Sequence, residues 1–195
     1  MTRHVPEVRT IKAAASAHLR VVGGELGGRR LSAPRGVRPT QGLVKEAVFD
    51  ILGTAVDEAT VIDLFAGSGA LGIEALSRGA ATTTFVDHDD AAVRVIRRNL
   101  AALGLEERGR VVRSEVTRWL ATHPNDVKAA SLVLLDPPYN DAILLHALAL
   151  LDALVAGGTT VVAEHAHRQP VPALDRLQAS RRRRYGDTAI SFFEL

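Results

Sequence analysis

Apolar residues recur along this chain at two different spacings, and the change from one to the other marks out its elements. Leu43, Val44, Ala47, Val48, Ile51 and Leu52 stand three and four apart, which predicts a helix with Thr40 as its cap. From Val61 onward, short apolar runs alternate with longer amphipathic stretches. Strands are predicted at Val61 to Phe65, Thr82 to Asp87, Arg110 to Arg113, Ser131 to Leu135 and Thr159 to Ala163. Helices are predicted at about Ala70 to Arg78, Ala91 to Leu103, Thr117 to Thr122 and Ala142 to Leu154. Strands that alternate with helices imply a mostly parallel sheet covered on both faces. Two hairpins frame this unit. Leu19 to Gly24 and Gly27 to Leu31 flank a glycine-rich turn, and Arg181 to Tyr185 and Thr188 to Glu194 flank Gly186-Asp187. The expectation is an α/β fold with seven strands, the last two antiparallel, and a small N-terminal β-hairpin over residues 19–36. Residues 1–18 read as a flexible extension and 19–195 as one domain.

The strand ends carry the chemistry. Asp63-Leu64-Phe65-Ala66-Gly67-Ser68-Gly69-Ala70-Leu71-Gly72 lies where the first strand turns into a helix. Gly67, Gly69 and Gly72 satisfy G-x-G-x-x-G, a loop that lets backbone approach a ligand closely, and Asp87 follows Gly67 by twenty residues. Asp63 would repel a pyrophosphate. It suits a ligand with a cationic ammonium, such as the methionine part of S-adenosylmethionine. Asp87 can accept hydrogen bonds from ribose hydroxyls, which NAD and S-adenosylmethionine share. Ala66, Gly67 and Gly69 complete the expected cofactor loop, and Glu115, after the third strand, is placed to meet an adenine edge.

Asp136-Pro137-Pro138-Tyr139 ends the fourth strand. Ligands of parallel sheets bind outside the carboxyl ends of their strands. An amino group conjugated to a base is a poor nucleophile, because its lone pair is delocalised into the ring. Asp136 and the Pro137 carbonyl can accept its two N–H bonds and hold the nitrogen in line with an electrophilic methyl. Pro138 stiffens the turn, and Tyr139 can stack on the base. His165 and His167, spaced i and i+2, have no evident third ligand, so no metal is expected. Trp119 reads as a helix residue packed on the sheet.

Charge sharpens the partner. Residues 1–50 hold nine Lys/Arg and four Asp/Glu, residues 51–180 hold eleven and sixteen, and residues 181–195 hold four and two. Basic ends around an acidic middle suggest a polyanion met by the ends, with Arg29, Arg30, Arg35 and Arg38 as candidates and the run Arg181 to Arg184 beside them. On a strand, at most two alternate arginines of that run share one face. There is no cysteine, so disulfide scaffolds, thiolate zinc sites and cysteine nucleophiles are excluded. No signal peptide or membrane-spanning stretch is evident, and a cytoplasmic protein is expected.

The glycine loop and Asp136-Pro137-Pro138-Tyr139 stand together with Arg20-Val21-Val22-Gly23-Gly24, Gly28-Arg29-Arg30-Leu31, Arg38-Pro39-Thr40, Val44-Lys45-Glu46, Glu74-Ala75-Leu76-Ser77-Arg78-Gly79-Ala80 and Tyr185-Gly186-Asp187-Thr188. In this combination the chain resembles the bacterial small-subunit rRNA guanine-N2 methyltransferases of the RsmD type, over nearly everything from Arg20 onward. The resemblance implies a Rossmann-like class I methyltransferase fold, S-adenosylmethionine as donor, and a guanine N2 of 16S rRNA in an assembling small subunit as acceptor. A monomer is expected. After Arg38-Pro39-Thr40 the family usually carries an acidic and then a basic residue, where this chain has Gly42 and Leu43. Lys45 stands where the family usually has Arg. The competing readings are an amino methyltransferase acting on DNA adenine or cytosine or on a protein glutamine, an NAD-dependent oxidoreductase, and a non-catalytic RNA-binding assembly factor.

Overall fold

The computed structural model describes residues 19–34, 42–138 and 141–195. The expected flexible extension 1–18, the expected cap Thr40, and Arg35, Arg38 and Tyr139 lie outside the described residues. Helices and short strands alternate as the periodicity predicts: α1 Gly42–Leu52, β1 Thr60–Leu64, α2 Ala70–Ser77, β2 Thr82–Asp87, α3 Asp90–Leu103, β3 Gly109–Arg113, α4 Val116–Thr122, α5 Pro124–Ala129, β4 Leu132–Leu135, α6 Asp141–Leu154, β5 Thr160–Ala166, β6 Gln178–Tyr185 and β7 Thr188–Glu194. The short α5 has no counterpart in the periodicity. It begins with a proline at its first turn, a position where the missing N–H is no loss.

The seven strands form one sheet in the order β3-β2-β1-β4-β5-β7-β6. Strands β1 to β5 pair in parallel, and β7 runs antiparallel to both β5 and β6. The order reverses at β1, from which the chain runs first to β2 and β3 and then, on the other side, to β4 and β5. That reversal is the switch point at which open α/β sheets bind ligands.

Alternation along each strand sends side chains to two cores. Val61, Phe85, Leu134, Val162 and Ile190 pack with Val48 of α1, Ile73 of α2 and Ile96 of α3. Ile62, Val86, Val133 and Val161 pack with Trp119 of α4, Val127 of α5 and Leu148 of α6. Trp119 is fully buried, as its position predicts, and stacks on His123 with ring centroids 5.0 Å apart. Few aromatics are needed, because Ala, Val, Ile and Leu fill both layers.

The N-terminal segment forms a small hairpin over its described residues. Arg20 bridges antiparallel to Arg30 around the turn at Gly24 to Gly28, with Val21 N donating to the Arg29 carbonyl at 3.0 Å, Gly28 N to the Val21 carbonyl at 2.9 Å and Leu31 N to the Leu19 carbonyl at 2.8 Å. Side chains anchor it to the helices. Glu74 of α2 accepts from Val22 N at 2.8 Å and Gly23 N at 2.7 Å. Lys45 of α1 donates from Nζ to the Arg20 carbonyl at 2.6 Å and pairs with Glu74 at 3.0 Å, both side chains being fully buried. Burial lowers the proton affinity of the Lys45 ammonium, against the pull of Glu74. Glu74 is held below the usual carboxylate range by Lys45, the Val22 N–H and Arg78, which together outweigh its burial. Gly24 closes the seam: at φ +75° a Cβ there would lie 1.9 Å from the Ser77 carbonyl oxygen.

Candidate active site at the carboxyl ends of the central strands

Four carboxyl-bearing residues lie at or near the carboxyl ends of four adjacent strands: Asp87 on β2, Asp63 on β1, Asp136 after β4 and Glu164 on β5. Asp63 sits level with Phe85 and Leu134, and Asp87 and Asp136 lie two residues beyond those partners. Alternation therefore sends all of them to the face of α1, α2 and α3.

The loop between β1 and α2 is built by three backbone constraints. Phe65 takes φ +61°, a conformation that non-glycine residues rarely hold. Gly67 at +55° and Gly69 at +77° follow, and Gly69 starts the helix. The loop is tied down on both sides: Ala66 N donates to the Val86 carbonyl at 3.2 Å, and Gly67 N donates to Asp87 Oδ2 at 2.8 Å. The twenty-residue spacing read in the sequence is thus a direct hydrogen bond. Asp87 Oδ1 accepts from Asp89 N at 2.9 Å. A carboxylate has about four lone-pair positions, so capacity for ribose hydroxyls remains. A Cβ at Gly67 would meet nothing closer than the Phe65 carbonyl oxygen at 3.9 Å, which leaves open space over the loop.

Asp63 is 1% exposed, and its Oδ2 accepts from Gly72 N at 2.9 Å. Its carboxyl braces the start of α2 from below. Burial, then the charges of Asp136 and Asp87, push it well above the usual carboxylate range, against the Gly72 hydrogen bond. A cation arriving among these groups would draw it back down. Gly72 has no room to be anything else. A Cβ there would lie 2.4 Å from Phe85 Cε1, 2.8 Å from Thr83 Cγ2 and 2.9 Å from Asp63 Oδ2.

Asp136 is partly exposed, and its N–H reaches the Leu64 carbonyl at 3.4 Å, so the turn after β4 stays fastened to β1. Pro137 is buried and Pro138 exposed. Glu115 is exposed at the start of α4, beside Ser114, whose N–H donates to the Asp87 carbonyl at 2.9 Å. The site thus brings together Asp63, Ala66, Gly67, Gly69, Asp87 and Asp136, with Glu115 at its edge. An open glycine loop among carboxylates fits a nucleoside ligand that carries positive charge, such as S-adenosylmethionine, and does not favour a pyrophosphate.

Arg29 and Arg30 lie apart from this row, on the exposed N-terminal turn, with Arg29 Nη2 reaching the Ala102 carbonyl at 3.2 Å. All four arginines of Arg181 to Arg184 are exposed, because β6 is the edge strand and open on both faces. Arg182 is engaged with the His167 carbonyl at 2.7 Å, and Arg184 with Gly186 at 2.8 Å. His165 lies on β5 and His167 beyond its end. β5 ends at Ala166, and buried His165 pairs with Ser191 Oγ at 2.9 Å. Lys45, which stands where the family usually has Arg, is buried in the clamp with Glu74. Two site residues escape a reading of the sequence. Phe65 reads as part of a strand, and Glu164 falls one residue beyond the predicted fifth strand. Counting two residues on from Val162 places Glu164 in the carboxyl row.

Comparison with known proteins agrees with this geometry. The family model described as conserved hypothetical protein 95 matches residues 19–194. Bacillus subtilis YlbH is 36% identical over 181 residues, 90% of this chain and 98% of its own. Escherichia coli ribosomal RNA small subunit methyltransferase D is 38% identical over 141 residues, 71% of this chain and 69% of its own. The solved structure of Escherichia coli yhhF aligns with a TM-score of 0.81 at 30% identity, over 91% of this chain and 97% of that one. An RNA methyltransferase from Salinibacter ruber, in complex with S-adenosyl-L-homocysteine, shares the fold at a TM-score of 0.62 and 18% identity, over 80% of this chain and 93% of its own. The chain therefore belongs to the conserved hypothetical protein 95 family, the RsmD family of methyltransferases, with the Rossmann-like class I fold.

Proposed function

We propose that this protein methylates the exocyclic N2 of a guanine in 16S rRNA, with S-adenosylmethionine as donor. The observation that carries the reading is the open glycine loop set between Asp87 and Asp136 on the central strand ends. The relatives named as rRNA small subunit methyltransferases support the acceptor, and the S-adenosyl-L-homocysteine complex of the Salinibacter ruber protein supports the donor. Residues 19–195 act as one unit in this reading, working as a monomer in the cytoplasm on an assembling small subunit. Among the described residues, no helix is long and apolar enough to cross a membrane.

S-adenosylmethionine supplies an electrophilic methyl on a sulfonium. The chain's own residues hold and orient. Asp87 would accept from the ribose, Gly67 and Gly69 would let backbone approach, Ala66 would line the loop, Glu115 would meet the adenine edge, and Asp63 would offset the cationic end. Asp136 and the Pro137 carbonyl accept the two N–H bonds of the acceptor amine and orient its lone pair toward the methyl carbon. With the donor bound, that nitrogen would gain positive charge as it takes up the methyl group, and would then release one N–H proton to solvent. The Asp136 carboxylate stabilises that charge more in the transition state than in the ground state. Pro138 stiffens the turn, and Tyr139 stacks on the base. Arg29, Arg30, Arg35 and Arg38 meet phosphates and position the RNA without reading its sequence. The target base must be unpaired or flipped to reach the strand ends. The test is methyl transfer to unmodified small-subunit particles, followed by mass spectrometry of the nucleosides. N2-methylguanosine is expected, and a methyl group found only on adenine, cytosine or protein overturns the assignment.

A further inference from the structure

Strands β4 and β5 run parallel, and their last paired positions are Leu135 and Ala163. The next residue on each is a carboxylic acid, Asp136 and Glu164. Neighbouring strands lie about 4.8 Å apart, and alternation sends both side chains to the face of Leu134 and Val162. Glu164 is half-buried and lines a narrow crevice with Val48, Leu71, Leu134, Leu135, Val162 and Ile190, all of them apolar. The groups that face it can be named. β4 brings Asp136, and β7 brings Ile190 directly opposite. α1 and α2 bring Val48 and Leu71, while their buried charges, Lys45 and Glu74, are bound to each other at 3.0 Å. Glu164 is thus an acid in apolar surroundings beside an anionic neighbour. Burial and then the Asp136 charge push its carboxyl up to about 8. Two adjacent carboxylates cannot both ionise cheaply, and the better desolvated one keeps the proton.

We propose that Glu164 is a positioning residue for Asp136: the two carboxyls act as a pair, with the Glu164 hydroxyl donating to the Asp136 carboxylate and aiming it at the acceptor amino group. The inference rests on Asp136 receiving that amino group, as proposed above. The pair carries one proton and one negative charge at neutral pH, which fixes one Asp136 oxygen and leaves the other to accept from the amine. As pH rises through about 8, Glu164 ionises, the donor is lost and the two anions repel.

Two measurements on the full chain test this. The first is the pH dependence of kcat and KM on unmodified small-subunit particles, for the wild type, Glu164→Gln and Glu164→Ala. The wild-type kcat should fall above about pH 8. Glu164→Ala should lose about tenfold in kcat with little change in KM, the size expected for one hydrogen bond that acts only in the transition state. Glu164→Gln keeps a donor and cannot ionise, so it should recover most of that loss and abolish the alkaline fall. The second is a carbon-13 NMR titration of the Glu164 carboxyl in the wild type and in Asp136→Asn. Its midpoint should drop by about one pH unit or more when the neighbouring charge is removed. An alkaline fall retained in Glu164→Gln, or a midpoint unmoved by Asp136→Asn, overturns the proposal. The titration needs no substrate. If the wild type methylates some acceptor other than guanine, the guanine assignment fails while both tests of Glu164 still stand on that acceptor.

Discussion

Replacing Lys45 by Met keeps the volume of a long side chain and removes its charge, and it strikes the clamp that joins α1, α2 and the N-terminal segment. In the wild type, Nζ is 3.0 Å from Glu74 Oε2 and 2.6 Å from the Arg20 carbonyl, with no solvent at either side chain. Lys45→Met leaves Glu74 as a buried anion. Breaking such a pair from one side costs about 3–5 kcal/mol. Glu74 keeps the N–H groups of Val22 and Gly23 and the guanidinium of Arg78 at 2.9 Å, which favours the lower end of that range. A loss of about 3 kcal/mol lowers Tm by about 6–12 °C in a protein of this size. Urea denaturation followed by circular dichroism measures it directly. The pH dependence sharpens the test. Glu74 is held below the usual carboxylate range, so its stabilising contribution is complete above about 4.5 and is lost as pH falls through its lower folded value. In Lys45→Met the anion is already uncompensated, and protonation relieves it. The gap between wild type and variant should therefore be widest near neutral pH and narrow below about pH 4.5. A gap under about 1 kcal/mol, or one that is constant between pH 7 and pH 4, would refute the claim that this buried pair holds the segment in place.

Asp87→Ala removes the acceptor of the Gly67 N–H as well as the proposed ribose partner, and should weaken S-adenosylmethionine binding by about 1.5–3 kcal/mol in calorimetry; tight NAD binding by the wild type would contradict the cofactor assignment. Asp136→Ala should abolish methyl transfer in a radiolabel assay while the fold and most cofactor affinity survive, and near wild-type rates would sink the mechanism. Gly72→Ala forces a methyl group to 2.4 Å from the Phe85 ring and should cost about 1–3 kcal/mol in thermal unfolding, where a neutral outcome would mean the helix shifts freely. Arg29→Ala combined with Arg30→Ala should weaken binding to target and unrelated RNA alike and flatten the salt dependence by about 0.7 in log–log slope for each phosphate the protein no longer neutralises; an unchanged slope would move the RNA surface elsewhere.

The alternation of β and α segments, the switch to a closing antiparallel pair and the glycine loop are all legible along the chain, because each depends on neighbours a few residues apart. A period of two or of 3.6, a run of glycines, or a proline pair constrains the backbone locally, whatever lies across the fold. The identity of the candidate site is legible for the same reason: Asp87 and Asp136 each close an apolar run, Asp63 sits near the end of another, and parallel strands bring such ends together. What the side chains do there is settled only by tertiary packing. Asp63 turns inward to Gly72 because α2 crosses the sheet so closely that its backbone N–H comes within reach of the carboxyl. Lys45 counts among the basic residues of the N-terminal part, yet it is fully buried, because Glu74 lies opposite it on a helix nearly thirty residues away. Glu164 has no local signature at all. Its character comes from the strand beside it and the apolar residues of α1 and α2 above it, and a desolvated acid next to an anion exists only once those distant segments have met.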